Sequence, residues 1–221
     1  METFARAFAY AAAHGGELRE ALARHLELVG AALAIGCALG APLGAVTARS
    51  RAASLALVNG FNALRVVPSL AILFLTIPYF GLSVGSAVLA LTVLAIPPIL
   101  INSDAAFRTI DPAVREAAAG VGMTRGQALV RVELPLALPT ILAGVRTATV
   151  EVISSATLAA FVGGGGLGVF VVRGFSLYDP AILLVGAVPV ALLAIAAEAV
   201  LHVAQRTLEL PRARPRTEEV S

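Results

Sequence analysis

Tryptophan and lysine are both missing from this 221-residue chain, and cysteine occurs once, as Cys37. A lone cysteine inside an apolar run excludes a disulfide framework and a cysteine metal cluster. Charged residues make up only 14% of the chain, where a soluble domain carries about 25%. All sixteen basic residues are arginine, and they form no single stripe with aromatics between them. A nucleic-acid partner is therefore not expected, despite a net charge of +2. No G-x-x-x-x-G-K-[ST] phosphate loop, H-E-x-x-H or G-x-S-x-G occurs. His14, His25 and His202 are scattered, so neither a catalytic constellation nor a metal site is expected. Met1–Arg24 does not read as a cleavable signal peptide: its apolar stretch is short and Glu2 interrupts the basic start.

Apolar residues fill the space that charge leaves. They make up 58% of the sequence, with a mean hydropathy of +0.89. Such a chain has lipid as its solvent. Five apolar runs stand out, at 26–47, 54–77, 83–101, 136–161 and 181–204. About twenty helical residues cross a bilayer, so each run can span once. The whole chain, 1–221, reads as one all-α transmembrane domain. It comprises an N-terminal interfacial segment (1–25), the five spans, a polar loop at 102–135 and a tail at 206–221.

Arginine counts orient the bundle. The 1–2 loop, the 3–4 loop and the tail share one side, and hold Arg49, Arg51, Arg108, Arg115, Arg125, Arg131, Arg206, Arg212, Arg214 and Arg216. The other side holds Arg6, Arg19, Arg24 and Arg173. Ten against four places the 3–4 loop and the C-terminus in the cytoplasm and the N-terminus outside. There, Phe4, Ala7, Phe8 and Ala11 share one helical face, which suits a helix lying on the membrane or packed on the bundle.

Each span contains proline (Pro42, Pro68, Pro97 with Pro98, Pro139, Pro189), which predicts kinked helices. Span one also carries Ala32, Gly36, Gly40 and Gly44, a small-residue ridge that lets another helix approach closely.

The cytoplasmic loop carries the clearest local signals. Asp111 is a good N-cap and Pro112 suits the first helical position. Gly120 and Gly122 should end that helix, and a second could run from Arg125 to Glu133. Two short helices on a polar loop make a knob, narrow at Ala117–Ala119, that fits a partner's groove.

The segment resembles the EAA loop of binding-protein-dependent ABC importer permeases. In that pattern Glu-Ala-Ala is followed by three residues, Gly, nine residues, an aliphatic, one residue, then Leu-Pro. Glu116-Ala117-Ala118, Gly122, Val132 and Leu134-Pro135 match at every position. The resemblance implies a bacterial inner-membrane protein that docks through this loop onto a cytosolic ABC ATPase dimer, which binds the ATP and magnesium. Glu116 would anchor the knob, Ala117 and Ala118 permit close approach, and Gly122 permits the turn, with Gly120 and Met123 completing the contact. A second permease subunit, identical or paralogous, and an extracytoplasmic substrate-binding protein are the other partners implied.

Two further stretches, Val67–Leu73 and Ala156–Gly168, with Gly186–Val190 and Glu198, resemble osmoprotectant permeases over residues 15–205. The implied fold is the five-span, methionine-permease-like one. The implied cargo is glycine betaine, carnitine, choline or a related quaternary amine; a methionine-type permease is the alternative. Candidates for the translocation path or gate are Asn62, Arg65, Pro68 and Ser69 in span two, Glu151 and Ser154 in span four, and Gly164 and Gly165 beyond it. Charge at membrane depth normally faces an interior or aqueous path. Glu151 and Ser155 depart from the aromatics usual in this part of the family, and the chain is only 5% aromatic. High-affinity recognition by an aromatic cage is therefore expected elsewhere, on the binding protein.

Overall fold

A computed structural model describes residues 1–208. The tail residues Arg212, Arg214 and Arg216, used above for orientation, lie outside the described residues. Ten α-helices follow in order: α1 Glu2–Ala13, α2 Gly15–Thr47, α3 Arg51–Leu64, α4 Ser69–Phe80 and α5 Val84–Arg108. Then come α6 Pro112–Gly120, α7 Arg125–Ala128, α8 Leu134–Ser155, α9 Gly168–Ser176 and α10 Pro180–Leu208.

Four helices are long and apolar enough to cross a membrane: α2, α5, the continuous stretch Arg125–Ser155, and α10. A fifth crossing is made only if the bent pair α3–α4 counts as one broken span. The run at 54–77, expected as one kinked span, divides into α3 and α4, bent by 94°. Pro68 explains the break. It cannot donate a backbone hydrogen bond and disfavours helix at Val67, so the chain leaves α3 at Arg65 and restarts with Pro68 as the N-cap of α4. Pro42, Pro97, Pro98, Pro139 and Pro189 all lie inside helices that continue.

Helix α5 is the centre of the bundle, packed between α2 and α8. Leu91, Ala95 and Ile99 on it are fully buried, as are Leu28 and Ala32 of α2 and Ala148 and Val152 of α8. The small-residue ridge of α2 lies against it. A methyl group on Gly36 would stand 2.8 Å from the Ala95 Cβ, and one on Gly44 would stand 2.6 Å from the Leu100 carbonyl. Glycine at these positions sets the interhelical distance.

Helix α5 also runs past its expected end. Residues 102–108, predicted as loop, are helical because Ser103, Asp104, Ala106 and Phe107 are buried there. Helix-breaking chemistry arrives only at Asp111-Pro112, so the 102–135 loop contracts at its start. Its far end contracts too. The second short helix, expected over 125–133, forms as α7 and a π-helical turn Leu129–Glu133, and flows into α8. Span four ends at Ser155, before its apolar run does, and a 3-10 turn Leu158–Val162 follows.

The predicted N-terminal segment 1–25 is divided. α1 packs on the bundle, with Ala7 buried in a cluster with Phe170, Ala181, Ile182 and Val185, while α2 already begins at Gly15. An Arg6–Asp179 ion pair of 2.9 Å fixes α1 to the start of α10. Arg173 of α9 donates to the Tyr10 hydroxyl at 3.2 Å and to Glu17 at 3.0 Å. Those bonds, the tyrosine's first, hold its guanidinium above the ordinary arginine range.

Candidate coupling surface and path residues

Asp111 accepts from the Ala113 amide at 2.9 Å and Pro112 opens α6, as the cap chemistry requires. The helix ends as predicted. Gly122 lies at φ +79° and donates to the Ala119 carbonyl at 2.9 Å, while Met123 donates to the Ala118 carbonyl at 3.1 Å. A left-handed residue is what lets the chain reverse there. Thr124 and Gln127 then form a reciprocal capping box at the start of α7.

Two arginine contacts fasten the knob to the bundle. Arg115 donates to the Phe107 carbonyl at 2.6 Å and pairs with Glu133 at 3.3 Å. The two faces of α6 therefore have different tasks. Glu116, Ala117 and Gly120 are exposed on the outward face, with Ala113 one turn before. Ala118 is 5% exposed and turned into the chain, so its small side chain seats α6 on its own bundle. Its expected close approach is therefore made to its own bundle in this structure. Met123 is half-buried beside a cleft between α6, α7 and the end of α2, away from the outward face.

The path candidates do not all gather. Arg65, at the break between α3 and α4, approaches Glu151 of α8 to 3.7 Å. Asn62 is exposed one turn before Arg65, and Pro68 and Ser69 begin α4 beside it. Ser154, one turn from Glu151, is exposed, whereas the adjacent Ser155 is buried, so the two serines face different surroundings. Gly164 and Gly165 sit apart from this pair, in the turn beyond α8. A methyl on Gly164 would meet the Ala87 Cβ at 2.7 Å, and Gly165 has φ +75° near Arg24. The glycine run at 163–166 abuts Leu82 and Ala87 at the start of α5, whereas α6 is tied to Phe107 at its end. Since 25 helical residues span about 37 Å, the two lie at opposite ends of the bundle.

Charge at the α3–α4 break is a testable element. Glu151→Ala should lower transport several-fold and leave Arg65 without its partner, and Arg65→Ala should lower it similarly. The charge-swapped pair Arg65→Glu/Glu151→Arg should recover part of the loss in uptake assays on matched membrane amounts. No recovery by the swap, with either single variant at wild-type rate, would remove the pair from the path.

Three polar clusters escaped the sequence reading. Asp104, taken as loop, is 5% exposed and accepts from Thr47 at 2.8 Å, Ser54 at 2.9 Å and Arg108 at 3.0 Å. The Arg108 spacing at i+4 was the available signal. Arg146 of α8 meets Glu198 at 3.4 Å and His202 at 2.7 Å on α10. His25 is fully buried and its Nε2 lies 3.1 Å from the Ile153 carbonyl, joining α2 to α8. Nothing in local spacing joins residues 56 or 128 positions apart.

With the geometry in place, comparison with known proteins decides the family. Residues 40–210 match the family described as binding-protein-dependent transport system inner membrane component. The chain belongs to that family. The permease is 39% identical over 208 residues to the choline transport system permease protein OpuBB of Bacillus subtilis, covering 94% of this chain and 95% of that one. It is 39% identical over 193 residues to the glycine betaine/carnitine/choline transport system permease protein OpuCB of the same organism, covering 87% and 89%. The osmoprotectant import permease protein OsmW of Salmonella typhimurium is 37% identical over 194 residues, covering 86% and 90%. Among solved structures, an inward-facing MetNI methionine ABC transporter chain superposes with a TM-score of 0.77 at 22% identity, covering 87% of the permease and 96% of that chain. The permease thus has the all-helical ABC importer permease fold, and is a multi-pass transport subunit.

Proposed function

We propose that this permease imports osmoprotectants of the quaternary-amine class (choline, glycine betaine or carnitine) by alternating access driven by a separate ATPase dimer. The observation that carries the substrate class is 39% identity over nearly the whole chain with OpuBB, a protein named for choline transport. Likeness to a methionine transporter chain is one of fold, at 22% identity, and favours that cargo less.

In this reading the outward face of α6 (Glu116, Ala117 and Gly120) docks on the ATPase, which holds the ATP and magnesium. The permease itself binds no cofactor. ATP binding biases the equilibrium between outward- and inward-open states through contacts that differ between them. A second permease subunit completes the pore, and an extracytoplasmic binding protein delivers the substrate. The knob and the C-terminal end face the cytoplasm, the N-terminus faces outside, and the host membrane is the bacterial inner membrane. With aromatics at 5%, the pathway binds its cargo weakly and releases it readily.

The test is reconstitution with the cognate ATPase and binding protein in liposomes. ATP-dependent uptake of labelled choline, glycine betaine or carnitine, with methionine at background, is the expected result. Methionine uptake with none of the three amines would overturn the substrate class. Uptake without any ATPase would overturn the coupling.

A further inference from the structure

A cleft of about 450 Å³ lies behind the knob, between the end of α2 and the α6–α7 turn. Its floor is apolar, made by Ala45, Ala48, Phe107 and Ala128, and its charged groups are Arg49, Arg115, Arg125 and Glu133. Arg115 and Glu133 neutralise each other at 3.3 Å. Arg49 and Arg125 remain: among the described residues neither guanidinium has an ion pair or hydrogen bond. The cleft therefore carries two uncompensated positive charges on an apolar base.

Its depth follows from α2. That helix has 33 residues, about 50 Å, but its outer end carries Glu17, Arg19, Glu20, Arg24 and Glu27. The uncharged stretch 28–47 covers about 30 Å, the hydrocarbon thickness. Thr47 then lies at the membrane boundary and Arg49 at headgroup level. Leu43 (40% exposed) and Val46 (66% exposed) lie just below it, and Leu134 and Leu136, each 41% exposed, flank the start of α8. Acyl chains have apolar surface to lie on where a headgroup reaches the arginines.

We propose that this cleft binds the phosphate of an anionic phospholipid of the cytoplasmic leaflet, held by Arg49 and Arg125. The inference rests on the inward orientation of the knob argued above. It gives the inner face of α6 a ligand separate from whatever docks on Glu116, Ala117 and Gly120. Anionic lipid then supports the coupling element from behind, and leaflet charge acts on the knob directly.

The experiment uses the full-length permease in nanodiscs of phosphatidylcholine with a minor fraction of phosphatidylglycerol, and reads retained lipid by native mass spectrometry. The wild type should retain phosphatidylglycerol in excess over its bulk share. Arg49→Gln/Arg125→Gln should reduce that enrichment on the order of tenfold, and Arg24→Gln, at the other end of α2, should not change it. Equal enrichment in the wild type and the double variant, or none in either, would overturn the proposal. Displacement of the lipid by millimolar inorganic phosphate would also overturn it, by making the site one for a free anion. No ATPase is present, so a negative result here leaves the uptake assignment standing, and a failed uptake assay leaves lipid retention to be read independently.

Discussion

Gly122→Val should cut ATP-driven uptake at least tenfold while the protein still inserts in the membrane at wild-type levels. Gly122 lies at φ +79° with nothing within 4 Å of where a side chain would begin. Space is not the obstacle. A β-branched residue pays about 1–2 kcal/mol or more to hold a left-handed backbone, so the turn relaxes toward another conformation. The hydrogen bonds from Gly122 and Met123 back to Ala119 and Ala118 then loosen, and the outward face of α6 loses its fixed angle. Gly122→Asn is the control, since asparagine tolerates this region far better and should keep most of the uptake. Glu116→Arg separates geometry from charge. It leaves the turn alone, places the wrong sign on the exposed face, and should weaken co-purification with the ATPase as strongly as Gly122→Val does. Wild-type uptake in both Gly122→Val and Glu116→Arg would mean that coupling runs through another surface.

Asp104→Ala should have the largest effect on stability. The side chain is 5% exposed and accepts from Thr47, Ser54 and Arg108, which come from α2, α3 and α5. Removing the acceptor leaves two buried hydroxyls and a part-buried guanidinium without it. Loss of one partner from a buried charged network costs about 3–5 kcal/mol. On the scale of domains this size, that lowers the melting temperature in detergent by on the order of 10 °C. Thr47→Val removes one of the three donors and should cost only about 1 kcal/mol. If Asp104→Ala melts no lower than Thr47→Val, the network is not what joins these helices. Ser54 is the only buried residue of α3, so the same variant should also loosen that helix and raise its hydrogen exchange.

The sequence disclosed most where a local rule sufficed. Apolar runs located four spans, the Ala32–Gly44 spacing located the α2–α5 contact, and Asp111-Pro112 with Gly122 located both ends of α6. What it concealed was decided by distant contacts. The Arg65–Glu151 approach joins residues from two spans, and only packing reveals which charged groups meet. Asp104 reads as loop because it is acidic, yet burial by α2 and α3 extends the helix through it. Pro68 breaks its span while Pro42 and Pro139 do not. Proline chemistry is the same at all three, and the neighbouring helices decide whether the lost bond is tolerated. Ala118 shows the same limit at the scale of one residue: the motif marks a narrow helix, but only the fold tells which alanine faces inward.

The unbroken stretch Arg125–Ser155 has a mechanical consequence. Its first turn belongs to the knob and Glu151 lies near its far end, 26 residues on, or about 39 Å of helix. A displacement applied at the knob would therefore reach Glu151 through continuous helix, by way of the π-helical turn Leu129–Glu133 and past Pro139. Arg65 stands on the bent α3–α4 arm, outside that stretch, so a displacement of one relative to the other would change the separation of the two charges.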